Sequence, residues 1–139
     1  MIEVAKCYLP LIEKEKKQNL LYSKWDCKYD KKLPIKDWYK ALENHLGVHK
    51  GLIASRFILE YEDNPRALEQ IIFGNYIQES DYKSIGINAY ESLGDLQGSA
   101  LLCNETAIRK TVQILLSKCK KENIAYLEIR CSPINYQTS

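Results

Sequence analysis

Residues 104 to 131, "NETAIRKTVQILLSKCKKENIAYLEIRC", hold the strongest pattern in the chain and narrow what it can fold into. Asn104 is placed to cap a helix, and Glu105 falls in the first turn, where the helix dipole favours negative charge. Ile108, Val112, Leu115, Leu116 and Cys119 recur with helical spacing and predict one buried stripe. Lys118, Lys120 and Lys121 crowd the last turn, and Asn123 suits a left-handed stop. Directly afterwards the pattern changes to alternation: Ala125, Leu127, Ile129 and Cys131 point one way, and Tyr126, Glu128, Arg130 and Ser132 the other. A capped helix joined by so short a turn to a strand is half of a β-α-β unit. The fold class expected is therefore α/β, mainly helical, with one parallel-type strand over about 124–131.

That strand raises a chemical question. Two opposite charges on one face, Glu128 and Arg130, are costly to bury unless they are paired and hydrogen-bonded. One reading is an internal ion pair that fixes register. The other places both charges inside a (β/α) barrel, near the carboxyl ends of the strands where such barrels keep their chemistry.

The rest of the chain reads as helices. Residues 2 to 17 are helical on either side of Pro10, and 23–34, "SKWDCKYDKKLP", is a polar connection. Pro34 then opens "IKDWYKALENHLG", with Gly47 suited to the stop. Residues 48 to 61 predict a buried helix. Over 63–78, Asn64 caps, Pro65 takes the first helical position, and Leu68, Ile71, Ile72 and Tyr76 form an apolar stripe. A further helix is expected over 81 to 93, followed by a loop or a helix broken at Gly98.

Composition removes several classes. The chain has 139 residues, 45% of them apolar and 27% charged, which fits a folded protein with a real core. A net charge of +2 is too small to imply a polyanionic partner. The lysines are nevertheless unevenly placed: Lys14, Lys16, Lys17, Lys24, Lys28, Lys31, Lys32, Lys36 and Lys40 fall within one stretch, which reads as a solvated face rather than a nucleic-acid interface. No apolar run approaches the roughly 20 residues needed to span a bilayer, and the first residues lack the features of a signal peptide. Five cysteines without a C-x-x-C pair point to reduced thiols in a cytoplasm, not to a disulfide or zinc-ribbon framework.

The two histidines, His45 and His49, lie four apart in "NHLGVHK". Such spacing can put two imidazoles on one helical face, as in H-E-x-x-H, and Glu43 or Glu60 could add a ligand. Leu46 stands where that motif has glutamate, however, and Gly47 weakens the helix between them. No nucleophile elbow and no glycine-rich phosphate loop accompany them.

With those residues in view, "YLEIRCSPINY" resembles the second-strand signature of the adenosine and AMP deaminase family. Tyr126, Glu128, Arg130, Ser132 and Pro133 match it position by position. The upstream "GDLQGSALL" and the lysine-rich helix end are similar to large bacterial members, including deaminase-like proteins of antiphage defence. The specific match covers roughly residues 93 to 136.

The resemblance implies a TIM (β/α)8 barrel holding one zinc ion, with a His-x-His pair, a third histidine and an aspartate as ligands. It implies a hydrolase that removes the 6-amino group of a purine nucleoside or nucleotide, with zinc-bound water supplying the hydroxide. Within that frame, 1–92 is a helical, lysine-rich, insertion-like region and 93–139 a partial barrel segment. Glu128 and Arg130 would shape the barrel's mouth, and Ser132 and Asn135 would lie nearer the substrate.

Two histidines cannot supply the implied ligand set, and one strand cannot make a barrel. The expectation is thus a fragment, inactive alone, with no metal of its own, whose partners are the purine substrate and the remainder of the barrel. A homo-oligomer, a complementing subunit and a stand-alone helical module binding an acidic protein or nucleic acid remain as further options.

Overall fold

The computed structural model describes residues 1–26, 28–29, 33–73, 96 and 99–130. Helix α1 (Ile2–Ala5) runs through a 3-10 turn at Lys6–Tyr8 into α2 (Leu9–Gln18). The 3-10 turn is how the chain accommodates Pro10. The proline falls in the first turn of α2, where backbone N–H groups have no partner within the helix. Asn19 ends α2 in an extended conformation, and its side chain accepts a hydrogen bond from the Tyr22 amide at 3.1 Å, starting α3 (Leu20–Lys24).

Helix α4 (Ile35–Leu46) starts after Pro34 and stops at Gly47, whose φ of 62° is the left-handed conformation that the sequence anticipates there. Helix α5 (Lys50–Leu59) follows after a short corner, then α6 (Pro65–Phe73), whose cap Asn64 accepts from the Ala67 amide at 3.1 Å. A second 3-10 turn at Ser99–Cys103 leads into α7 (Glu105–Lys121). Asn104 caps α7 by accepting from the Ala107 amide at 3.1 Å. At its other end Asn123 has φ 55°, the Ile124 amide donates to the Cys119 carbonyl at 2.9 Å, and the Asn123 amide donates to Lys120. This pair of bonds around a left-handed residue is a Schellman stop.

Helix α5 is the axis of the core. Gly51, Leu52, Ile53, Ala54, Ser55, Phe57 and Ile58 are all buried, so this helix is apolar nearly all round. The same cluster takes in Val4, Ala5, Tyr8, Ile12, Tyr22, Trp38, Tyr39, Leu68 and Ile72, and it reaches Leu96, Ala100, Leu101 and Ala107. Residues from both sides of position 93 therefore share one core. Its buried tyrosines keep their hydroxyls bonded: Tyr8 donates to the Leu101 carbonyl at 2.8 Å and Tyr22 to the Leu52 carbonyl at 3.3 Å. Among the described residues no buried side-chain N or O atom lacks a partner, the condition a stable interior demands.

The α/β expectation, with its strand and partial barrel, is overturned. Of the described residues 74% are helical and none is in a strand. Residues 124–130 carry no regular secondary structure and are exposed, with Ile124, Tyr126, Leu127 and Ile129 among the large apolar side chains open to solvent. The reason is physical. Alternation prepares a segment to pair, but a strand exists only when a neighbouring strand accepts its backbone hydrogen bonds; among the described residues the one backbone bond made by 124–130 is the helix-stop bond from Ile124 to Cys119.

The buried stripe expected on α7 is corrected too. Ala107 and Cys119 are buried, whereas Val112 and Leu116 are 41% and 59% exposed. The expected helix over 81–93, Tyr76 and the region around Gly98 lie outside the described residues, as does the end of the strand expected at Cys131. Among the described residues, no helix is long and apolar enough to cross a membrane.

Candidate functional site

The carboxylate and guanidinium singled out from the alternation do meet, but on the outside. Arg130 Nε lies 3.8 Å from Glu128 Oε1, with side chains 95% and 62% exposed. At that exposure, water screens the attraction and ordering two long side chains offsets most of the gain. The pair is therefore neither a buried register lock nor part of a desolvated cleft. Ser132 and Asn135, expected nearer a substrate, lie outside the described residues.

The two histidines are not brought together to hold a metal. His45 is exposed in the last turn of α4. His49 is the cap of α5: its Nδ1 accepts a hydrogen bond from the Gly51 amide at 3.1 Å. That bond uses one of the two ring nitrogens and gives the neutral imidazole a structural task. Burial lowers the His49 pKa below its usual value, Lys50 lowers it further, and Glu43 opposes both. No group of three or more His, Cys, Asp or Glu side chains that could hold a metal ion occurs among the described residues. The residues present do not fit the zinc site that the family resemblance implies. Cys7, Cys103 and Cys119 form no disulfide among the described residues; Cys103 and Cys119 are buried, and the Cys103 thiol donates to the Ser99 carbonyl at 3.9 Å.

A concave feature does exist elsewhere. Leu9, Ile12, Glu13, Lys16, Arg56, Leu59 and Glu60 line a groove of about 230 Å³, below the roughly 300 Å³ at which small-molecule pockets begin. Three of its charged side chains, Glu13, Lys16 and Arg56, have partners. Lys16 Nζ bonds Glu13 Oε1 at 2.9 Å, and this bond is the main reason the Glu13 pKa is lowered. Arg56 donates to the Tyr22 carbonyl and rests over two rings, with its guanidinium carbon 5.0 Å from the Tyr22 centroid and 5.3 Å from that of Trp25. The Glu13–Lys16 pair lies within α2, and Arg56 ties α5 to α3. No nucleophile and paired base converge among its described lining residues.

Sequence patterning did not single out Arg56, Tyr8 or Gly51. Helical spacing from Asn19 through Tyr22 to Trp25 could have suggested a ring platform, but nothing local says that a side chain from residue 56 will cover it. Of the lysine run, Lys14, Lys16, Lys17, Lys24, Lys28, Lys36 and Lys40 are exposed, while Lys31 and Lys32 lie outside the described residues. Comparison with protein-family models, curated proteins and solved structures finds no match to the chain.

Proposed function

We propose that the chain is a helical portion of a hydrolytic purine deaminase, a protein that in complete form removes the 6-amino group of an adenine nucleoside or nucleotide. The observation that carries this reading is the spacing Tyr126-x-Glu128-x-Arg130-x-Ser132-Pro133, which resembles the adenosine and AMP deaminase family. Two further features support it. Residues 124–130, which hold the first three positions of the spacing, are not folded into the helical core: their large apolar side chains are exposed, leaving them open to pack against additional polypeptide. The histidines of this chain are an exposed side chain and a helix cap, so the three-histidine set that the resemblance implies needs histidines besides these two. By itself the chain carries no deaminase activity.

Two measurements test the reading. The coding DNA on either side, in the same frame, should supply a His-x-His pair upstream and a further histidine and an aspartate downstream. The purified chain, supplied with zinc and adenosine, should form no inosine. Flanking stop codons without those residues, or inosine from the isolated chain, would each remove the proposal.

A second reading is favoured by the lysine-rich stretch from residue 14 to residue 40, whose described lysines are exposed: a helical module binding an acidic protein or nucleic acid. It requires affinity for DNA, RNA or an acidic protein that falls steeply with salt and is lost on replacing Lys28, Lys31, Lys32 and Lys36. Absence of binding to these probes at low salt would eliminate it.

A further inference from the structure

The first turn of α5 is the point at which most of the fold is tied together. Tyr39 of α4 donates to the Lys50 carbonyl at 2.6 Å, and Tyr22 of α3 donates to the Leu52 carbonyl at 3.3 Å. Gly51 lies so close to Tyr8 and the Ala100 carbonyl that even a methyl group at its Cα would meet atoms between 2.6 and 2.9 Å away. The residue that fixes this turn is His49, reached two residues after the left-handed Gly47.

Asparagine, aspartate, serine and threonine are the preferred residues at such a cap, and none of them gains a proton near neutral pH. Histidine does. Its Nδ1 accepts from the Gly51 amide only while it has a free lone pair. Once protonated, that nitrogen becomes a donor facing a donor, and its positive charge sits at the positive end of the helix dipole. The charged groups acting on the ring are Lys50 on its own helix, which disfavours the added proton, and Glu43 on α4, which favours it.

We propose that His49 is a proton-operated latch: neutral, it locks the first turn of α5 into the junction of α3, α4 and the two 3-10 turns, and protonated, it releases residues 47–51. The device is independent of the deaminase reading. Its sign follows from the burial that depresses the folded-state pKa of His49. The unfolded chain binds its proton near pH 6.5, the folded chain only at lower pH. Stability is therefore fully present above about pH 6.5 and is lost as pH falls from there through the folded value.

The test is a titration of the full chain, labelled with nitrogen-15, from pH 8 to pH 5. The Gly51 amide signal should move together with the His49 imidazole signals, with one shared midpoint below about pH 6.5. In parallel, the melting temperature should fall by roughly 2–5 °C across the same range. In His49→Asn, whose cap does not titrate, that fall should shrink. A Gly51 amide indifferent to the His49 titration would overturn the proposal, and so would an unchanged pH slope in a folded His49→Asn. The amide measurement uses the wild-type chain, so the proposal stays exposed to refutation if the variant does not fold.

Discussion

Replacing Gly51 with alanine should destabilise the protein although it sits in a helix, where alanine is ordinarily worth about 1 kcal/mol more than glycine. An ideal Cβ at this position would lie 2.6 Å from Tyr8 Oη, 2.8 Å from Tyr8 Cε1 and 2.9 Å from the Ala100 carbonyl oxygen. The tyrosine cannot swing aside cheaply, because it is 1% exposed and its hydroxyl bonds the Leu101 carbonyl at 2.8 Å. Overpacking costs about 1–3 kcal/mol, and stranding a buried carbonyl about another 1–3 kcal/mol. Net of the helical gain, Gly51→Ala should lose about 1–5 kcal/mol. In a urea titration followed by far-UV circular dichroism, the midpoint should drop by roughly 0.5–2 M with the slope unchanged. Made in a Tyr8→Phe background, the same substitution should cost less without becoming free, since the ring carbon and the Ala100 carbonyl remain in the way. A Gly51→Ala protein as stable as its parent would refute the close approach of α5 to Tyr8.

Other consequences are accessible to the same melts. Removing either member of the exposed pair, by Glu128→Ala or Arg130→Ala, should change stability by no more than about 0.5 kcal/mol; a loss of about 3 kcal/mol would mean the pair is buried. Asn123→Val should cost about 1–2 kcal/mol, because a β-branched residue resists φ 55°, while Asn123→Gly should melt at or slightly above the parent temperature. Burial pushes the Tyr8 hydroxyl pKa well above its usual value. The unfolded chain therefore gives up that proton near pH 10 while the folded chain keeps it. Stability from this group is complete below about pH 10 and declines as pH rises further, and Tyr8→Phe should flatten the alkaline limb.

Local signals in the sequence located helix ends well. Asn64, Asn104, Gly47 and Asn123 each act where a short polar side chain or a left-handed residue is needed, and each effect is confined to one turn of backbone. Residues 124–131 show where such reading stops. Ladder formation depends on a second segment, so side-chain alternation alone predicted a strand that the described fold does not contain. The α7 stripe failed for a related reason: periodicity shows which residues share a face, not whether anything covers it. A buried setting for Glu128 and Arg130 depends on a strand, and without one their exposure follows. The spacing of His49 from His45 suggests a metal ligand, and its role as a cap emerges only from where α5 begins.

Both tryptophans of the chain, Trp25 and Trp38, belong to one aromatic row, their centroids 6.4 Å apart, with Phe57 and Tyr29 each 5.4 Å from Trp38. Indole emission is thus a local instrument, reporting the corner where α3, α4 and α5 meet and remaining silent about α7 and the exposed residues after it. An optical signal that stays constant while another molecule settles on that distant end would say nothing about whether it had arrived. A reporter attached beyond position 121 would be the one to watch.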